Sequence, residues 1–211
     1  MTDFFAKSDI SRNDAEKIVS DTLKNTDDGE LYLENTKSEN IVLDDSKIKN
    51  SSYNSDVGYG LRAVTGEVIA YSHSNEISKN SLKNSSENLK STLKSKKGTY
   101  NHSIPKSNIK YYEDKNPLDD KSFSSKVKIL EEIDKYTRSK HPNIKQVTAN
   151  FLGEHKTVEI IRSGGEIISD IRPLVRFNVS VVVEKNGKKE TGVYGIGGRQ
   201  SYDDYLNNEN W

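Results

Sequence analysis

The 211 residues carry 32 basic and 32 acidic side chains, so the net charge is zero and no long-range field draws the chain to nucleic acid or an anionic membrane. Only 32% are hydrophobic and the mean hydropathy is −0.84, which excludes one thick apolar core and favours a thin sheet with helices on one face. Cysteine is absent, and with it disulfides, thiolate nucleophiles and thiolate metal ligands.

Met1 to Ser11 contains no apolar stretch long enough for a signal peptide, and no later run approaches the ~20 apolar residues of a membrane span, so the expected location is cytoplasmic. Ser11 can cap a helix in which Ala15, Ile18, Val19 and Thr22 or Leu23 recur at helical spacing, ended by Asp28-Gly29. Leu31 and Leu33 mark a short strand over Glu30 to Asn35, and Ile41 and Leu43 mark a second over Asn40 to Asp44. After a turn at Asp45 to Lys47, a third strand runs from Ile48 to Val64. Gly66 turns it into a fourth, Glu67 to Ser74. Ser78 can cap a second helix whose apolar stripe, Leu82, Leu89 and Leu93, is narrow.

Ser95 to Ser122 holds Gly98, Pro105 and Pro117 without lasting periodicity and reads as a linker or long loop. A third helix follows from about Ser124 to Ser139, with Val127, Leu130, Ile133 and Thr137 in one stripe, and Pro142 stops it. Strands at Lys145 to Leu152 and Lys156 to Ile161 come next, then a turn at Ser163-Gly164-Gly165 and a long strand from Glu166. Its odd positions, Ile171, Pro173, Val175, Phe177, Val179, Val181 and Val183, form an apolar column, while Arg172, Leu174, Arg176 and Asn178 give the other face a mixed character. Asn186-Gly187 supplies the positive φ values of a type I′ turn, which sets Glu184 opposite Lys189, Val181 opposite Gly192 and Val179 opposite Tyr194.

The order helix, short hairpin, long strand, return strand occurs twice. It predicts an α+β fold of two helix-plus-four-stranded antiparallel meanders, with helices packed on one face. The halves fall at 1–94 and 123–211, and 95–122 joins them.

The four histidines, His73, His102, His141 and His155, lack the spacing of a hydrolytic zinc helix. No Gly-x-Ser-x-Gly elbow is present, and the acidic pairs Asp44-Asp45, Asp119-Asp120 and Asp203-Asp204 fall where turns and helix caps call for aspartate. Gly195, Gly197 and Gly198 leave two readings open: a twisted, bulged strand end, or bare backbone that another chain approaches for strand addition. Arg172, Arg176 and Arg199 leave two as well. They can pair with Asp170, Glu166 and Glu184, or line a polar sheet face that grips the carbonyls or carboxylate of a bound peptide.

Gly58 to Glu67 (GYGLRAVTGE), Asp170 to Arg176 (DIRPLVR) with the valine-rich strand after it, and Gly195 to Arg199 (GIGGR) resemble the amino-terminal part of the TldD/PmbA family, over nearly the whole chain. Leu31-Tyr32-Leu33, Asn116-Pro117-Leu118 and Gln146-Val147-Thr148-Ala149 fall in the same order. The resemblance implies a bacterial cytoplasmic zinc metallopeptidase, once described as a modulator of DNA gyrase. In that family a TldD-like chain pairs with a PmbA-like (TldE) sibling to degrade or trim unfolded, extended peptides. The family's zinc and base come from a His-Glu-x-x-x-His helix in the carboxy-terminal part, beyond the last residue of this sequence. No catalytic or metal residue therefore carries over, and the chain is expected to bind no zinc and to be inactive alone. The expectation is a truncated, substrate-framing portion, with Arg172, Arg176, Arg199, Gly195, Gly197 and Gly198 as candidate substrate contacts. Its partners would be a peptide and either a sibling subunit or a second copy. The alternative is a non-catalytic module of the same fold that binds peptides or docks a partner.

Overall fold

The computed structural model describes residues 3–94, 98, 110–162 and 164–206. Its elements are α1 (Arg12–Leu23), β1 (Asp28–Asp44), β2 (Lys47–Thr65), β3 (Val68–Ser74), α2 (Lys79–Leu93), α3 (Phe123–Lys140), β4 (Ile144–Arg162), β5 (Ile167–Lys185) and β6 (Lys188–Gly198), then a short 3₁₀ turn at Tyr202–Asp204. The strands form one antiparallel sheet in the order β3-β2-β1-β4-β5-β6, with the helices on one side: an α+β fold. Ser11 and Ser78 cap α1 and α2 by accepting an N–H three residues on, and Ser122 does the same for α3. Asn186 and Gly187 adopt positive φ (53° and 76°), and β5 and β6 pair in the expected register, Glu184 with Lys189 and Val179 with Tyr194.

The strand count differs from expectation. Glu30 to Asn35 and Asn40 to Asp44 are one strand, β1, and Lys145 to Leu152 and Lys156 to Ile161 are one strand, β4. Each half therefore supplies three strands, not four. Thr36, Lys37 and Ser38 look like turn residues, but the alternation holds across them: Leu31, Leu33, Ile41 and Leu43 are all buried odd positions of one continuous strand.

The described residues fall into two compact units, each drawn from three stretches. The first takes Met1–Thr36, Asp56–Tyr111 and Thr157–Asp170, and the second takes Lys37–Ser55, Tyr112–Lys156 and Ile171–Trp211. Both halves of the sequence thus contribute to both units. The expected linker at 95–122 is described only at Gly98 and from Lys110 onward, so half of it, with Pro105 and His102, lies outside the described residues.

In the first unit α1 and α2 cover Leu31, Leu33, Leu61, Ala63 and Ile161 with Val19, Leu23, Leu82 and Leu89. The narrow stripe of α2 suffices because its serines are buried and paired. Ser86 Oγ lies 2.6 Å from Thr22 Oγ1 of α1, and Ser85 Oγ meets the Tyr59 hydroxyl at 2.9 Å and Ser72 Oγ at 2.9 Å. Arg12 forms a two-point contact with the buried Glu159, at 2.5 and 3.0 Å.

In the second unit α3 lays Leu130 and Ile133 over Ile41, Leu43, Val147, Ala149, Val175 and Phe177. Phe151 packs obliquely against Phe177 and Tyr202, with ring centroids 5.3 and 5.1 Å away. Beside these rings lies a buried charge pair. Lys126 Nζ donates to Glu39 Oε1 at 2.6 Å and to the Leu118 carbonyl at 2.7 Å, and the Tyr202 hydroxyl donates to the same Glu39 oxygen at 2.9 Å. Burial, with Glu39 alongside, holds the Tyr202 phenol protonated well above its ordinary range.

Candidate functional site

The sheet face of the second unit that carries the even-numbered strand positions has a shallow hollow of about 250 Å³. Asn40 reaches it from β1, Asn54 from β2, Leu152 and Glu154 from β4, and Leu174 and Arg176 from β5. Alternation fixes this. Pro173, Val175, Phe177 and Val179 of β5 are buried, so Leu174 and Arg176 between them point the other way and are exposed. Leu152 and Leu174 present apolar surface there, 36% and 39% exposed. Asn40 Oδ1 is shut off from solvent and has no hydrogen-bond donor among the described residues.

Of the residues singled out in the sequence, Arg176 lies in this hollow. Its Nε donates to Asn178 Oδ1 at 2.8 Å, so its direction along the face is fixed. Gly195 sits opposite Asn178, and a Cβ there would lie 2.5 Å from Asn178 Oδ1 and 3.3 Å from Arg176 Nη2. A Cβ at Gly197 would run into the Val175 carbonyl, and one at Gly198 into the Tyr205 hydroxyl. The space above these three glycines is thus filled by this chain's own atoms. Arg199 is placed elsewhere: it donates to the Pro173 carbonyl at 3.3 Å, and its guanidinium lies 5.2 Å from the Tyr112 ring centre. Arg172 is half-buried on β5 and does not line the hollow. Glu184 pairs with Lys189 at 3.7 Å.

The other candidates serve local structure. His73 stacks on Tyr71, and His141 Nδ1 accepts the Asn143 N–H at 3.1 Å just after α3. Burial lowers the pKa of His155. Asp44 accepts from Gln146, Lys49 and Thr148, and these bonds, that from Gln146 first, hold its carboxyl down at about 2. Asp204 completes a capping box with Ser201, and Asp120 accepts from the Ser201 hydroxyl at 2.7 Å. Among the described residues no three His, Cys, Asp or Glu side chains converge as metal ligands would, so the donors present here do not fit a zinc ion. No helix among the described residues is long and apolar enough to cross a membrane.

The sequence reading missed the Lys126–Glu39–Tyr202 cluster, although it left a signal. Lys126 precedes Leu130 by one helical turn, and Glu39 lies two residues before Ile41, so each charge occupies a position whose neighbours are buried.

Solved structures share this architecture. A protein described as a modulator of DNA gyrase from Bacteroides thetaiotaomicron superposes with a TM-score of 0.71 over 92% of this chain and 47% of its own, at 12% identity. TldE from Thermococcus kodakarensis superposes with a TM-score of 0.64 over 89% of this chain and 43% of its own, at 14% identity. At such identities the likeness defines the fold class. Sequence models go further: residues 29–95 match PmbA/TldA metallopeptidase domain 1, and residues 116–211 match the PmbA/TldA metallopeptidase central domain. Curated relatives include the metalloprotease TldD homologs of Buchnera aphidicola from Acyrthosiphon pisum, 33% identical over 87% of this chain, and of Haemophilus influenzae, 34% identical over 85%. The chain belongs to the PmbA/TldD family. It spans 38% of the length of each of these two relatives.

Proposed function

We propose that this chain is the amino-terminal, substrate-framing portion of a TldD-like zinc metallopeptidase that cleaves unfolded or extended peptides in the cytoplasm. In this reading the zinc and the catalytic base belong to a carboxy-terminal portion, and the working assembly pairs the chain with a PmbA-like (TldE) sibling or a second copy. One observation carries it: two consecutive domain models of one metallopeptidase family match this chain in order, within relatives more than twice its length. The framing role is supported by a sheet face that presents polar side chains, Arg176 and two exposed leucines around a hollow, while the opposite face is committed to the core. Arg176 is the foremost of the proposed substrate contacts. Gly195 and Gly197 let β6 close up against it, and Gly198, Arg199 and Arg172 flank that region.

The test is metal analysis and hydrolysis of fluorescently labelled casein by the purified chain, alone and fused to the carboxy-terminal portion of the Haemophilus influenzae TldD homolog. The chain alone should bind no stoichiometric zinc and cleave nothing, and the fusion should gain chelator-sensitive activity. Chelator-sensitive hydrolysis by the chain alone would sink the proposal, as would an inert, folded, zinc-loaded fusion.

A second reading, a non-catalytic module that docks a partner by strand addition, is favoured by one feature. β6 is an edge strand, and from Thr191 to Gly198 it has neither a charge nor a proline to block pairing, although 30% of the whole chain is charged. Val193 on that edge is 74% exposed. On this reading Val193→Lys abolishes self-association or sibling binding in analytical ultracentrifugation. An unchanged sedimentation profile would discard it.

A further inference from the structure

The geometry points to the hollow on the second unit as a subsite for two side chains of an extended peptide, preferring an apolar residue two positions from a basic one. This rests on the substrate-framing reading above. Three independent features converge. The first is the buried Asn40 Oδ1, an acceptor without a donor among the described residues, which is an uncommon and costly state that an incoming main-chain N–H relieves. The second is charge of both signs within one hollow. Arg176 uses Nε for Asn178, and its terminal nitrogens remain for a peptide carbonyl, while the ion pair of Glu154 in this structure is a loose 4.0 Å contact with Lys156. A basic side chain of the ligand takes Glu154. The third is the apolar surface of Leu152 and Leu174, exposed in a polar chain and placed on the same face as those charges by strand alternation.

Other ligand classes fit less well. The space of about 250 Å³ is below the ~300 Å³ at which drug-sized sites begin, so it takes a residue or two of a longer chain. One arginine beside a carboxylate is a poor match to a phosphate backbone. Of its two carboxylates Glu39 is held by Lys126 and Tyr202, and Glu154 alone is too few charged ligands for a metal ion. An extended peptide supplies N–H, C=O and alternating side chains at the spacing this face offers.

The experiment uses the full 211-residue chain and two fluorescein-labelled probes read by anisotropy: reduced, carboxymethylated lactalbumin as a permanently unfolded protein, and the blocked peptide Gly-Gly-Lys-Gly-Leu-Gly. The chain is expected to bind both. Glu154→Lys should weaken the peptide at least tenfold, and the probe with Glu in place of Lys should regain most of that loss on the Glu154→Lys chain. Asn40→Ala should weaken it severalfold. A benzophenone amino acid at Asn54, on the rim, should cross-link to the peptide, and one at Lys90 on α2 should not; this arm decides the matter where a substitution fails to fold. Binding of both probes with no loss in the variants, no charge-swap rescue and no cross-link at 54 overturns the subsite and leaves the framing reading standing. Failure of the chain to bind either probe overturns both.

Discussion

The two units close their helices over the sheet by different means. In the first, the buried carboxylate Glu159 is met by Arg12, whose own side chain is 35% exposed, and the polar contacts that Ser85 and Ser86 make beneath α2 are neutral hydroxyl pairs. In the second, both partners of the ion pair are inside: the Lys126 side chain is 3% exposed and that of Glu39 is 11%. A pair with one wet partner can relax when it is broken. A pair enclosed on both sides relaxes far less, because the remaining charge has little water to turn to. The second unit should therefore be the more brittle.

Removing one sealed charge tests this most severely. Lys126→Met should cost ~3–5 kcal/mol by leaving Glu39 uncompensated, whereas the double change Glu39→Leu with Lys126→Met should recover most of it. Urea denaturation of the three proteins checks the contrast, and a mild Lys126→Met would remove the basis for calling the second unit brittle. Next in size is Gly153→Ala, whose Cβ would collide with the Tyr202 hydroxyl and lie 2.6 Å from Leu118 Cδ2. A loss of ~1–3 kcal/mol is expected. Tyr202→Phe in the same background should return part of it, and an unchanged thermal midpoint for Gly153→Ala would show that the site yields.

The first unit should respond more gently. Ser85→Ala should cost about 1 kcal/mol, since the Tyr59 hydroxyl keeps Ser81 as a partner at 2.8 Å. A loss as large as that of Lys126→Met would erase the difference between the units. The smallest effect is one of pH. The Asp44 carboxyl is held at about 2 by Gln146, Lys49 and Thr148, below the ~3.9 of an unfolded chain. A carboxyl lowered on folding contributes its full stability above the unfolded value and loses it as pH falls toward the folded one. The advantage of the native protein over Asp44→Asn should stay level from pH 7 to 5 and fade between about 4 and 2. A gap that persists at pH 2 would mean that the contact does not act through charge.

The hairpin of β5 and β6 was legible down to its register because Asn186-Gly187 fixes the turn and the odd column of β5 is unbroken. β1 was not, because Thr36 to Ser38 have turn-like side chains and the charge at Glu39 conceals the buried column. Lys126, remote in sequence, is what makes a strand position of Glu39 tolerable. Gly153 concealed β4 in the same way, looking like a break while making room for Tyr202. α2 showed only a narrow apolar stripe because serine hydroxyls count as solvent-facing until their partners are known. Arg176 was legible as part of a polar sheet face. Asn40, Leu152 and Glu154 were not, since they share the hollow only through the pairing of strands far apart in sequence.

The long strands carry a consequence for how the chain is made. Ile41 and Leu43 belong to the core that needs Leu130, Val147 and Phe177, while Ile161 belongs to the core of Leu31 and Leu61. Neither core is complete until the chain has left the ribosome at least as far as Ile161. The nascent chain therefore cannot complete one unit from its first half and the other from its second. It must leave β1 without its neighbour β4, and that edge open to chaperones and proteases, until the later strands arrive.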